Sequence, residues 1–337
     1  MSDPISVSVA REAMATRFEI VLYGDSEVSL RAAGEEALDE IERLESQLSL
    51  YQPTSELSYI NARAAQEAVR VEPGLFRLLI RARELTRKTD GAFDVTIAPL
   101  MRCWGFINAS GRLPDAAEIA EARARVGMHL VELDEATSTI RFERPGVMLD
   151  LGSIGKGYAL ENAAQLLVDA GVTSALLHGG TSTVCALGNP PGANSWKVAI
   201  PDPASLNATA APRPGIVTVD SISGLLAVVP LRNESLSVSA VWGKSFQAGG
   251  KVYGHVMDPR IGAPVQGAVM AAVMAPRATD TDALSTALLT LGSSGLDAIT
   301  AASREVHALV SYAGDAAGDY RVASRGVELL KRSTRGG

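Results

Sequence analysis

Phe18 to Tyr23 alternates apolar and polar positions among β-favouring residues and predicts a strand. From Ser26 onward the period changes. Leu30, Ala33, Ala37, Ile41, Leu44 and Leu48 recur at steps of three and four, so residues 26–48 predict an amphipathic helix with Arg and Glu outside. Leu75, Leu78, Leu79, Ala82 and Leu85 predict a second helix, opened by Pro73-Gly74 and closed at the Asp90-Gly91 turn. Pro114-Asp115 opens a short Ala/Glu/Arg helix over 116–126.

The pattern shifts in the middle of the chain. Val147 to Leu151 is a short apolar run, read as a strand, and leads through Gly-Ser-Ile-Gly-Lys-Gly into a helix closed by Gly171. Strands are expected at 174–177, at 196–200, and at 216–219, 225–230, 268–274 and 306–312, with a helix from about Asp282 to Leu291. Residues 202–214, rich in Pro, Ala and Asn, read as an exposed loop. Helices and strands interleave without a steady strand–helix repeat, and no fixed-period repeat appears. The expected class is α+β, a single domain over 1–337 with two lobes, about 1–145 and 146–330, around a shared cleft.

Composition narrows the field. Of 337 residues 47% are apolar, which excludes wholesale disorder, and the formal net charge of -7 without a basic run argues against a nucleic-acid partner. Cys103 and Cys185 are too few for a disulfide framework or a four-cysteine zinc site. The first residues show no basic start followed by an apolar stretch, and no window is apolar enough to span a membrane, so a cytoplasmic location is expected. The chain holds 31 glycines and only 5% aromatics, which means many tight turns or backbone close to a ligand.

Four segments carry candidate chemistry. In Ala278–Gly292, Asp282 and Thr286 stand four apart on one helix face and offer a carboxylate and a hydroxyl, hard donors suited to Mg2+; alternatively Asp282 is only an N-cap. In Tyr253–Pro264, His255 precedes Asp258 by three residues on a turn, either as a general base or as a packed turn residue. Leu149–Ala159 joins a glycine-rich turn to a helix start with Lys156, a phosphate cradle in outline, but neither a Walker loop nor a dinucleotide fingerprint. Gly91–Phe106 holds a Gly-Ala-Phe-Asp turn and Trp104-Gly105-Phe106. Tyr51, past the first helix, is either a stacking platform for an aromatic base or a surface side chain.

Taken in order, these segments resemble the ApbE family of FAD:protein FMN transferases. The resemblance runs from about Met14 to Gly292. It rests on Met-Ala-Thr at 14–16, LYQPTSELSYIN at 50–61, GAFDVTIAPLMRCWGF at 91–106 and LDLGSIGKGYA at 149–159. LLHGG at 176–180, WKVAIPDP at 196–203, HVMDPRIGAP at 255–264 and TDALSTALLTLG at 281–292 complete it. It implies an ApbE-like fold with mixed or antiparallel sheets flanked by helices, two lobes around a flavin cleft, and transfer of FMN from FAD to a threonine of a target flavoprotein with release of AMP. It implies Mg2+ held by Asp282, Thr286 and the Ser153 carbonyl. FAD would be met at Met14, Tyr51, Ala92, Phe93, Asp94, Asp150, Lys156 and Val256, with Gly179, Gly180 and Asp258 beside them, and His255 would deprotonate the acceptor hydroxyl.

The chain departs from the family pattern at three places. Val238-Ser239-Ala240 replaces Thr-Ser-Gly, Ile261 replaces Thr or Ser, and Thr181-Ser182 follows the Gly-Gly pair in place of Asp or Asn. Two other activities use the same residues: hydrolysis of FAD to FMN and AMP, and flavin binding without catalysis.

Overall fold

The computed structural model describes residues 4–107, 110–205, 224–301, 303–314 and 320–330. Its main sheet has eight strands whose spatial order follows the chain: Ile5–Ala13, Thr16–Gly24, Ser174–Gly179, Thr183–Leu187, Ser235–Ala240, Ala268–Ala275, His307–Ala313 and Tyr320–Arg325. Every neighbouring pair is antiparallel. The other elements are insertions between sheet neighbours. Helices α1 (Glu27–Leu48), α2 (Glu56–Arg63), α3 (Pro73–Lys88), α4 (Ala98–Cys103), α5 (Ala116–Arg123) and α6 (Gly155–Asp169) lie between the second and third strands. Helix α7 (Ala278–Leu291) and the short α8 (Leu296–Thr300) lie between the sixth and seventh. The class is α+β, as the periodicity indicated.

The predicted helices form, and side-chain caps that the expectations did not include hold their starts. The apolar stripe of α1 is buried, and the Ser26 hydroxyl caps it by accepting the Ser29 N–H. Asp115 and Glu118 make a reciprocal capping box on α5. Pro73 sits at the start of α3, where the Glu72 carboxylate accepts the Gly74 and Leu75 N–H groups.

The sheet has a hydrophobic core on each face. On one, α1, α6 and α7 pack over residues from Val7 to Val310, so the segments before and after residue 145 share one core. On the other, the antiparallel pair Trp196–Pro201 and Leu225–Leu231 packs on Leu236, Met270 and Leu309. A third cluster gathers Leu100, Trp104, Phe106 and Met257, and is covered by the hairpin Ser245–Ala248 and Lys251–Gly254. Phe246 and Tyr253 of that hairpin stack with ring centroids 5.3 Å apart.

Two expectations are corrected. Residues 147–151 are extended and mostly buried but join no sheet. The Asn61 side-chain amide takes the place of a neighbouring strand, accepting the Leu149 N–H at 2.8 Å and donating to the Leu149 carbonyl at 3.0 Å, while the Asp150 N–H reaches the Val95 carbonyl at 2.7 Å. Helix α7 begins at Ala278, a turn before the expected start at Asp282, so Asp282 is not an N-cap. The expected strand at 216–219 and most of the loop at 202–214 lie outside the described residues. Of that loop, Pro203–Ser205 forms a single 3-10 turn.

Candidate functional site at the α6–α7 contact

Helix α7 is buried on nearly all sides, and its buried residues include Asp280, Thr281, Asp282 and Ser285. A helix that turns acids and hydroxyls inward must partner most of them, and among the α7 side chains Thr279 Oγ1 is the one buried without a partner. Arg81 of α3 forks onto Asp280, with Nε to Oδ1 at 2.8 Å and a terminal nitrogen to Oδ2 at 2.7 Å. Ser237 and Ser239, alternate residues of the 235–240 strand, face the helix. Ser237 Oγ lies 2.8 Å from Thr281 Oγ1, and Ser239 Oγ lies 2.8 Å from Ser285 Oγ and 3.1 Å from Thr286 Oγ1.

Asp282 is only 4% exposed. Its Oδ2 accepts the Gly157 N–H at 2.9 Å, and its Oδ1 stands 3.9 Å from Lys156 Nζ, which also approaches the Gly152 carbonyl at 3.5 Å. That geometry explains Gly157. A Cβ there would lie 2.1 Å from the Ala278 carbonyl oxygen and 2.8 Å from Asp282 Cβ, so the missing side chain lets α6 and α7 cross. The expected reason, backbone approach to phosphate, is therefore not needed at Gly157, whereas Gly155 has open space where its Cβ would be. The Asp150 carboxylate accepts the Gly152 N–H and shapes the turn that carries Ser153. Burial pushes this carboxyl above its ordinary range, against the pull of Lys244 and Lys156.

His255 follows the 245–254 hairpin. Its backbone N–H donates to the Lys244 carbonyl at 3.0 Å, and its ring Nδ1 lies 3.2 Å from the same oxygen. A carbonyl can only accept, so the proton of the neutral ring sits on Nδ1 and Nε2 keeps its lone pair. Burial first, and the nearby Lys244 and Lys156 charges after the opposing carbonyl bond, lower its pKa. This is a neutral imidazole with one nitrogen available to take a proton. The carboxylate expected beside it serves another partner: Asp258 is buried and forked by Arg260, at 2.9 and 2.7 Å. Asp258 is therefore not the partner of His255.

The remaining candidates divide by what their side chains can reach. Tyr51 is 60% exposed and has Lys244 Nζ 5.7 Å from its ring centroid. Partial burial and then the Asp150 charge raise its phenol pKa. Tyr51, Asp150, Lys156, Lys244, His255 and Asp282 thus form one linked neighbourhood. Val256 adjoins it, half-buried, with its carbonyl accepting the Val265 N–H. Ala92 and Phe93 are core residues at 1% exposure, so only their backbone is available to a ligand. The Asp94 carboxylate accepts from Thr96 N–H and Oγ1 and from Met128 N–H, and burial raises its pKa despite these bonds. Met14 and Ala15 form the two-residue turn between the first two strands, both at positive φ, +50° and +59°. Gly180 packs against that hairpin, where a Cβ would lie 2.2 Å from Thr16 Oγ1, and Gly179 ends the adjoining strand.

Lys244 and Asn61 were not singled out from sequence, and Ser239 entered only within a departure from the family pattern. Ser239 had a visible signal, the alternation of Ser235, Ser237 and Ser239 along an otherwise apolar strand. Lys244 had none, because its neighbours are supplied by segments from elsewhere in the chain. Two cavities of about 260 and 270 Å³ open beside the first turns of α7, around Arg81 and Arg277. Both arginines are paired there, with Asp280 and Glu161, and neither cavity is lined by Lys156, Lys244, His255 or Asp282.

The donor set fits a hard divalent cation. Asp282 and Thr286 offer a carboxylate and a hydroxyl one turn apart, and Ser153 offers a carbonyl. Among the described residues no group of three His, Cys, Asp or Glu could hold a metal. These are oxygen donors of the kind an ion such as Mg2+ accepts, since it takes as few as one protein carboxylate and completes its shell with water and phosphate oxygen.

A purely antiparallel sheet thus carries a buried acidic helix crossing a glycine-started one, with His255 next to Lys244 and within reach of the Lys156 charge, on an α+β scaffold. The sequence profile of the ApbE family matches residues 14–310. The chain belongs to the ApbE family, and with it to the transferases. It is 27% identical to the FAD:protein FMN transferase of Haemophilus influenzae over 296 residues, 85% of this chain and 81% of that protein. It is 32% identical to the enzyme of the same name from Rhodobacter capsulatus over 240 residues, 70% of this chain but only 42% of that longer protein. The ApbE protein of Thermotoga maritima shares the fold with a TM-score of 0.79 at 24% identity, covering 98% of each chain. The apo flavinyl transferase ApbE of Pseudomonas stutzeri gives 0.78 at 24%, covering 95% of each. Among the described residues, no helix is long and apolar enough to cross a membrane.

Proposed function

We propose that this chain transfers FMN from FAD to a threonine hydroxyl of an acceptor flavoprotein, releasing AMP, with Mg2+ at the pyrophosphate. The observation that carries the reading is the pairing of two half-sites. Asp282 with Lys156 gathers charge where a pyrophosphate must be neutralised, and His255 supplies an unprotonated Nε2. The names of the relatives supply FAD and a protein acceptor.

In this reading His255 Nε2 takes the proton of the acceptor hydroxyl. The hydroxyl oxygen forms a bond to the FMN-side phosphorus, the bridging P–O bond breaks, and its electron pair leaves on the phosphate of AMP. Lys156 faces the charge that develops on the pyrophosphate oxygens. Asp282, Thr286 and the Ser153 carbonyl would hold the metal, which as a Lewis acid neutralises the same charge. The open Cβ position at Gly155 lets the phosphates approach the start of α6.

The test is to incubate the protein with FAD and Mg2+, with and without a peptide carrying a Ser-Gly-Ala-Thr-x-Thr-like acceptor, and to follow peptide mass and AMP. An FMN adduct on the peptide with matching AMP is the expected result. AMP without adduct makes the protein a FAD pyrophosphatase, and bound but intact FAD makes it a flavin-binding protein. Either outcome overturns the transfer reading.

A further inference from the structure

Two lysines face this site, and they are held differently. The Lys156 ammonium is engaged on the α6–α7 side, at Asp282 and the Gly152 carbonyl. Lys244 is exposed, and its ammonium rests over the ring of Tyr51 at 5.7 Å. Among the described residues no carboxylate lies within ion-pair distance of it. A cation over an exposed aromatic ring is held by only ~0.5–1 kcal/mol, so this ammonium is easily released to a stronger anion. The backbone of the same residue is tightly placed, because its carbonyl accepts both the N–H and the Nδ1–H of His255. Lys244 is therefore the lysine tied to the base side and Lys156 the one tied to the Asp282 side, with both charges reaching His255.

In-line displacement at phosphorus has the same two sides. The attacking oxygen and its base approach one face, and the leaving phosphate departs from the other. A cation next to the base meets the phosphoryl group under attack. A cation next to Asp282 meets the pyrophosphate from the leaving side. The two lysines match these two positions.

We propose that Lys244 contacts the phosphate of the transferred FMN half, its ammonium moving there from the Tyr51 ring when flavin nucleotide binds, while Lys156 serves the AMP half. This assignment rests on the transfer reading for the division of FAD into two halves. It makes Lys244 a substrate-touching residue on the attack side, and it gives Tyr51 the task of parking the ammonium in the absence of ligand.

The experiment uses FMN and AMP separately as probes of the full chain, with binding read by flavin fluorescence and by calorimetry. Lys244→Met should weaken FMN binding by about tenfold and leave AMP binding unchanged, and Lys244→Arg should restore FMN binding to within about threefold of the parent. Lys156→Met should show the opposite bias. Far-UV circular dichroism of Lys244→Met should match the parent, since the side chain is exposed. FMN affinity unchanged in Lys244→Met, or AMP affinity falling equally, overturns the assignment. A parent protein that binds FMN but releases no AMP from FAD overturns the transfer reading alone, and the FMN comparison still decides whether Lys244 meets the flavin phosphate.

Discussion

Gly157→Ala is the sharpest probe of the α6–α7 contact. The added methyl carbon would sit 2.1 Å from the Ala278 carbonyl oxygen, 2.7 Å from its carbonyl carbon and 2.8 Å from Asp282 Cβ. Two of these atoms are backbone and the third is the root of a side chain, so none can swing away, and the helices must separate. Overpacking a rigid interior of this kind costs ~1–3 kcal/mol. Separation also stretches the 2.9 Å bond from Gly157 N–H to Asp282, and a hydrogen bond to a charged group is worth ~1.5–3 kcal/mol. Against this, Ala in place of Gly within a helix gains ~1 kcal/mol. The net expectation is a loss of about 3 kcal/mol, read by urea unfolding, with weaker Mg2+ binding by calorimetry because Asp282 shifts. Gly155→Ala is the matched control, two residues away in the same helix with nothing within 4 Å of its Cβ; its stability should hold or rise slightly. If Gly157→Ala lies within 0.5 kcal/mol of the parent (about the scatter of a surface substitution), glycine is not what lets these helices cross.

Three further outcomes are expected. Arg81→Met strands the Asp280 carboxylate inside α7; with side-chain exposures of 23% and 12% for the pair, the loss should be about 2 kcal/mol by urea titration, and Asp280→Asn in the same chain should recover part of it. A recovery of nothing would mean the pair is not coupled. His255 must be neutral to take a proton, and its folded pKa lies below the ordinary value of 6.5, so AMP release should stay flat through that pH and fall only below it. An acidic limb centred at or above 6.5 contradicts the role given to this ring. Ala15→Gly relieves an L-residue held at φ +59° and should raise the unfolding free energy by about 0.5 kcal/mol after the extra chain entropy of Gly is subtracted; a loss would show that the turn is not left-handed in solution.

Local signals carried well from sequence to structure where the energetics are local. The α1 stripe, the Pro114-Asp115 helix start and the runs near 225–230, 268–274 and 306–312 each announce an element that forms where expected. Where partners come from far along the chain, the reading slipped. The 147–151 run looks like a strand because it is apolar and extended, but its hydrogen bonds go to Asn61 and Val95 rather than to a ladder. The start of α7 was hidden because its Thr279 N–H is received by Glu161, 118 residues away, and no nearby residue announces a cap. The candidate site divides in the same way. Asp282, Thr286, Lys156 and His255 were legible as spaced donors and as parts of ordered motifs, whereas Lys244 became visible only when the hairpin brought it to Tyr51 and His255.

The excursion from Val241 to Val256 has a further consequence for timing. The chain leaves the main sheet at the Val241 N–H bond to Val269, and the hairpin is anchored by Phe246 and Tyr253 against Trp104 and Phe106. His255 therefore belongs to a small aromatic-clasped unit, and Asp282 belongs to the central helix. Units with separate anchors open with separate free energies. In the transfer proposed above, loosening of the aromatic clasp would withdraw His255 and Lys244 together while the α6–α7 contact stays closed, so the base and the flavin-side cation come and go as one piece.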